Sequence, residues 1–169
     1  MKTLFVLRHG KAEASSPRGD RARVLAPRGE RDSRAMGEKL SELGSDIDLF
    51  VSSHAERARQ TAEIAAEAAG YEGEVAIEPD IYAAPLDTLV DVVRSLPEDA
   101  ATVVIVGHNP GFEELSTALA PDGTEPVRLP TAAFAHLEFP SAKRWRDVRE
   151  GKGRLVGVHT PKEPDGHLS

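Results

Sequence analysis

The sequence predicts an α/β domain built on a mostly parallel sheet, and three observations lead there. Short, unalternating apolar runs occur at Leu4–Leu7, Leu49–Val51 and Val103–Val106, the pattern of strands buried on both faces. Each run is followed by a stretch with helical spacing, and parallel neighbours need such crossovers. The chain has 169 residues, enough for one substantial core and too few for two comfortable ones. We therefore expect one domain over residues 1–160 and a loose tail over residues 161–169.

Taken in order, the first run leads into a long polar connection, Lys11 to Ala26, containing Ser15-Ser16-Pro17-Arg18-Gly19; it is a candidate mobile lid. Pro27 then opens a helix that Gly44 closes, with Met36, Leu40 and Leu43 on one face. After the second run, Ser53 is expected as an N-cap, and Ala58, Ala62, Ala65 and Ala69 recur at helical spacing until Gly70. Asp87 is expected to cap a third helix whose stripe is Leu89, Val92, Val93 and Leu96 and which stops before Pro97. The fourth helix follows Asn109, with Pro110 as its first residue. Ala133–Phe139 and Leu155–Val158 read as strands separated by a polar, cationic turn region around Lys143 to Lys152.

Composition narrows the chemistry. An apolar content of 40% beside 29% charged residues is that of a folded protein. The chain has no cysteine, which removes disulfides, thiolate metal sites and a thiol nucleophile. A net charge of −7 argues against a general nucleic-acid surface, which gathers positive charge. One lysine precedes an apolar stretch that breaks at once into Arg8, His9 and Lys11, unlike a secretory signal. No segment is suited to crossing a bilayer, so a cytoplasmic protein is expected.

Ligands in parallel-sheet domains sit beyond the carboxyl ends of the strands, and chemistry-bearing residues cluster there in the sequence. Arg8 and His9 follow the first run, Ser53 and Arg57 the second, and His108 the third. A phosphoryl group in transfer spreads charge over several oxygens and calls for fixed cations and an in-line nucleophile. Arginine forks onto two oxygens and stays charged. Arg8 and Arg57 are thus the expected clamps, with Arg23 from the long connection as a third. His9 is the candidate nucleophile, since a neutral imidazole can form a covalent phospho-intermediate. His108, once protonated, would donate to the phosphoryl oxygens, helped by the helix N–H groups that follow it.

Other residues read as ordinary. Arg59 lies two positions from Arg57, on another helix face, and reads as a surface charge. His136, His159 and His167 show no partner pattern. His9, His54 and His108 lack the spacing of a metal motif and are accompanied by no acidic or thiol ligand, so neither a metal nor another cofactor is expected.

The joint occurrence of Arg8-His9-Gly10, Ser52-Ser53 with Arg57-Ala58 and Gln60-Thr61, and Gly107-His108-Asn109-Pro110 resembles the histidine phosphatase superfamily. Its small bacterial SixA-type phosphohistidine phosphatases are the nearest in pattern. The resemblance covers nearly the whole chain and implies a three-layer α/β/α, phosphoglycerate mutase-like fold and metal-independent hydrolysis through a phosphorylated His9. The stretch Asp20-Arg21-Ala22-Arg23-Val24-Leu25 is similar to the SixA-type segment that brings an additional arginine, here Arg23, to the phosphate. Two departures stand out. His54 replaces a proline common in the family. The stretch Ile81 to Asp87 has no glutamate to serve as the acid that many relatives use on alcohol leaving groups.

Asp87 is the candidate donor in that stretch, equally readable as a helix cap, and Glu13 is a weaker one. A phosphorylated imidazole already protonated on its far nitrogen leaves without such a donor. Gly70 to Asp87 is also too short for a capping subdomain. A phosphohistidine phosphatase acting on a phosphohistidine-bearing protein is the resulting expectation, with the enzyme a monomer. The alternatives are a phosphatase for a small phosphoester and a non-catalytic domain that binds phospholigands; mutase chemistry would require a more enclosed site.

Overall fold

The computed structural model describes residues 1–44 and 46–161. The expected tail falls, from residue 162 onward, outside the described residues. Six strands form one sheet in the order β3-β2-β4-β1-β5-β6. The strands are β1 (Lys2–Arg8), β2 (Leu49–Ser52), β3 (Ala76–Ile77), β4 (Thr102–Gly107), β5 (Phe134–Phe139) and β6 (Arg154–His159). The ladders β3/β2, β2/β4 and β4/β1 are parallel, and β5 runs antiparallel to both β1 and β6. The expected mostly parallel sheet is present, with β3 an added short edge strand that the sequence pattern did not announce.

Side-chain alternation along the central strands divides the core in two. Leu4, Val6, Val51, Val103 and Ile105 pack on one face with Leu89 and Val93 of α3 (Leu86–Arg94) and Phe112, Leu115 and Leu119 of α4 (Gly111–Leu119). Phe5, Leu7, Phe50, Val104 and Val106 pack on the other with Met36 and Leu40 of α1 (Pro27–Glu42) and Ala58, Ala62 and Ala65 of α2 (Glu56–Ala68). The strands read as continuous apolar runs because both faces are covered. The result is the three-layer α/β/α arrangement. The alanines of α2 let α1 come close: a Cβ on Gly37 would overlap the Ala65 carbonyl oxygen. Among the described residues no helix is long and apolar enough to cross a membrane.

Gly44 and Gly70 do stop α1 and α2, with φ of 76° and 81°, the left-handed conformation that glycine takes without strain. Three helix starts differ from expectation. Ala55, not Ser53, precedes α2; the Ser53 hydroxyl accepts the Ala55 N–H at 3.1 Å, a local turn that delays the helix. Pro85 precedes α3, and Asp87 sits inside its first turn, accepting the adjacent Thr88 N–H at 2.9 Å. Pro110 is the residue before α4 and not its first helical one. The cationic region around residues 143–152 also holds a fully buried Trp145, whose indole N–H donates to the Ala100 carbonyl at 2.7 Å. That anchor ties the β5–β6 connection to the core.

Candidate active site

The carboxyl ends of β1, β2 and β4 meet because their ladder hydrogen bonds continue past the strands. His9 N–H donates to the Gly107 carbonyl at 3.0 Å, Ser53 N–H to Val106 at 3.0 Å, and Ala132 N–H to the His9 carbonyl at 3.0 Å. Gly10 follows where the chain turns under α1, and a Cβ there would lie 2.7 Å from the Gly29 carbonyl oxygen. The glycine of the Arg8-His9-Gly10 triplet is therefore set by this close approach. Its N–H is taken by the Thr61 hydroxyl at 3.0 Å, which ties the loop to α2.

His9 is buried, and its Nδ1 lies 2.7 Å from the Gly10 carbonyl. A carbonyl only accepts, so Nδ1 carries the proton and Nε2 keeps its lone pair. Burial, with Arg57, Arg8 and Arg23 nearby, lowers the His9 pKa to about 4 against the opposing pull of the Gly10 hydrogen bond. The imidazole is neutral at neutral pH, as a nucleophile needs to be. The His108 ring lies beside it, with centroids 5.2 Å apart.

The two principal arginines are held from behind. Arg8 donates from Nη1 to the Leu129 carbonyl at 3.1 Å, and the same oxygen accepts Asn109 Nδ2 at 2.9 Å. Glu113 fixes that segment by accepting the Leu129 N–H at 2.8 Å. Arg57, in the first turn of α2, donates from Nη1 to the Asp20 carbonyl at 2.8 Å and from Nη2 to the Asp20 carboxylate at 3.0 Å. Arg23 reaches the same carboxylate from Nη1 at 2.9 Å while its Nε donates to the Glu13 carbonyl at 2.8 Å. Among the described residues, Arg8 Nε, Arg57 Nε and His108 Nδ1 are buried without a hydrogen-bond partner. Buried donors left unpaired are costly, and three of them on residues that neighbour His9 suit a group rich in oxygen acceptors.

His108 Nε2 sits 2.9 Å from the Ser53 hydroxyl. Because Ser53 already accepts the Ala55 N–H, its own proton is free to go to a neutral His108; a protonated His108 donates to it instead. Burial, then His9 and Arg57, lower the His108 pKa to about 3, so in the ligand-free site this ring is neutral. The donor role expected of a protonated His108 therefore requires a bound anion to offset those charges. Tungstate affinity should therefore rise as pH falls from 9 to 6.5, by up to about tenfold per unit, because the complex takes up one proton. Calorimetry in buffers of different ionisation enthalpy measures that uptake, and His108→Gln should abolish it.

The connection expected as a mobile lid is anchored at both feet. Ala12 and Leu25 form an antiparallel bridge, Glu13 N–H donates to Val24 at 2.8 Å, and Leu25 N–H donates to the Gln60 side chain at 2.8 Å. Its tip, a single 3-10 turn over Asp20–Ala22, lies over Arg57. Beside it runs an open groove of about 720 Å³ lined by Ser16, Arg18, Arg21, His54, Glu56 and Tyr82 among others.

His9, Arg8, Arg57, His108 and, through Asp20, Arg23 are thus brought together. The two candidate acids are not joined to them. Asp87 is exposed and spent on its own helix turn, and Glu13 is exposed, contributing its main chain to Arg23. His54 lies on the groove, 5.5 Å from the Tyr82 ring between centroids, with Nδ1 buried and unpartnered. Arg59 pairs outward with Glu56 and Glu63. His136 stacks on Phe5 at 4.5 Å and His159 packs near Phe134 at 5.0 Å, both in the sheet, while His167 lies outside the described residues. Sequence reasoning missed Asp20, Tyr82, Ser53 as a histidine partner, and Glu113. Asp20 alone carried a signal, its spacing of three from Arg23. Among the described residues no three His, Asp or Glu side chains gather as a metal site.

Residues 4–82 match the family described as the histidine phosphatase superfamily (branch 1). An uncharacterized protein of Mycobacterium tuberculosis strain H37Rv is 30% identical over 164 residues, covering 92% of this chain and 100% of the relative. One from Mycobacterium leprae is 30% identical over 169 residues, with the same coverages. Among solved structures, a protein of Nakamurella multipartitia assigned as phosphohistidine phosphatase SixA superposes with a TM-score of 0.79. It is 28% identical and covers 95% of this chain and 96% of that one. A protein histidine phosphatase SixA complexed with tungstate gives a TM-score of 0.81 at 24% identity, over 94% of this chain and 97% of that one, a likeness of fold.

Proposed function

The chain belongs to the histidine phosphatase superfamily, and on that footing we propose that this phosphatase hydrolyses a phosphohistidine borne by another protein. The observation that carries the reading is the cluster itself: His9 with Nδ1 held by the Gly10 carbonyl, so that Nε2 keeps its lone pair, beside Arg8, Arg57 and His108, whose Nε, Nε and Nδ1 are buried donors without partners. Nε2 attacks phosphorus, and the P–N bond of the substrate breaks with its electron pair returning to the leaving imidazole. Arg8, Arg57 and the newly protonated His108 hold the charge on the transferring oxygens. Water then attacks phosphorylated His9, giving inorganic phosphate and the starting imidazole.

The absence, among the described residues, of a carboxyl group placed to donate a proton supports this substrate class. An alkoxide needs a proton on departure, whereas a phosphoimidazole protonated on its far nitrogen leaves as neutral imidazole. The carboxylate that the structure does bring to the cluster is Asp20. Its hydrogen bonds from Tyr82, Arg23 and Arg57 hold it well below the usual carboxylate range, so it stays ionised and cannot donate. The open groove beside the cluster supports a protein-borne substrate. A panel containing a phosphorylated histidine domain and several alkyl phosphates tests this. Release of phosphate from the phosphohistidine domain is expected; turnover of alkyl phosphates alone would overturn the substrate assignment.

A further inference from the structure

We propose that Asp20 is a positioning residue that sets Arg57 for phosphoryl binding and couples the anchored connection to the clamp. Two parts of one residue hold the guanidinium: the main-chain carbonyl takes Nη1 at 2.8 Å and the carboxylate takes Nη2 at 3.0 Å. Both bonds engage the Nη groups of the fork, while Nε is buried and unpartnered, a donor free for an incoming anion. A planar fork gripped at two nitrogens cannot rotate about its stem, so the third is fixed.

The carboxylate has further partners that hold it in turn. Arg23 donates to its other oxygen at 2.9 Å, and the Tyr82 hydroxyl donates to the oxygen that Arg57 uses. Tyr82 also packs edge-on against His108, with ring centroids 5.4 Å apart. One negative charge thereby sits between two guanidinium groups that would otherwise repel each other as they converge on one anion. Arg57 is 6% exposed, so water is a poor substitute for these bonds. Gly19, at φ 99°, turns the chain just before Asp20 in a conformation that favours glycine, which places the 3-10 turn over α2.

Asp20→Asn keeps the shape and removes the charge. The amide can accept from one guanidinium, but its NH2 then confronts another donor. Tungstate affinity should fall about tenfold to a hundredfold, in line with loss of charge-assisted hydrogen bonds at a buried cation. A double-mutant cycle separates positioning from general structural damage. In an Arg57→Lys background, Asp20→Asn should have little further effect, because the fork it positions is gone; in an Arg8→Lys background its full effect should remain. Equal losses in both backgrounds, or unchanged affinity in the single variant, would overturn the proposal. A thermal melt of each variant confirms folding, and if Asp20→Asn fails to fold, Tyr82→Phe, which removes one holding bond, should show the same dependence on Arg57 in weaker form. The cycle reads anion binding alone, so its outcome is independent of whether the substrate is a phosphohistidine.

Discussion

His9→Ala is expected to abolish turnover, lowering the rate by at least about 10⁴-fold, the scale on which removal of a covalent nucleophile acts. The loss should be confined to chemistry. Arg8, Arg57 and Arg23 are held by Leu129, Asp20 and Glu13, none of which depends on the imidazole, so tungstate should still bind. A folded, tungstate-binding variant without turnover separates nucleophile from scaffold. During turnover of the unaltered protein, phosphate that is labile to acid and stable to base should be trapped on His9, and none should appear on the variant. Substantial residual turnover, or labelling elsewhere, would reject the assignment. The pH dependence supplies a second check. With a His9 pKa of about 4, lowering pH through that value protonates Nε2, so kcat/KM should fall about tenfold per unit below it and be insensitive to His9 across neutral pH.

The strands, the two glycine stops and the rim location were legible in the sequence because each rests on local pattern. Leu4–Leu7 and Val103–Val106 are apolar without alternation, and β1 and β4 are indeed central strands covered on both faces. What the sequence could not supply were hydrogen bonds between distant segments. Ser53 looks like a helix cap from its neighbours alone, yet its hydroxyl meets a histidine 55 positions later. Glu113 carries no local signal, yet its carboxylate accepts the N–H of Leu129 and so fixes the carbonyl that holds Arg8. Asp87 was attractive by its position before a predicted helix. A two-residue shift in the start of α3, with Pro85 taking the cap in place of Asp87, puts Asp87 inside the first turn, where its carboxylate accepts the adjacent Thr88 N–H. Asp20 belongs to both kinds: its spacing to Arg23 is local, but its grip on Arg57 spans 37 positions.

Arg57→Lys preserves charge, and it is nevertheless expected to reduce kcat/KM by about 10²- to 10³-fold, the range for losing one preorganised donor to a developing anion. The geometry explains why charge is not enough. Arg57 uses its fork on two sides, Nη1 and Nη2 toward Asp20 and Nε unpartnered and buried. An ammonium offers its donors from a single point on a flexible stem, so it can satisfy Asp20 or the phosphoryl oxygens but not both in fixed geometry. If it settles on Asp20, the transferring group loses a donor; if it turns to the phosphoryl group, the carboxylate is left against Arg23 and Tyr82 alone. Either way the damage should appear in turnover and in tungstate affinity together. Arg59→Lys is the control on the same helix: Arg59 pairs with Glu56 and Glu63 at the surface, and exposed pairs contribute about 1 kcal/mol or less. Both constants should be unchanged in that variant, and a comparable loss there would mean that the helix as a whole, and not the Arg57 fork, governs the site.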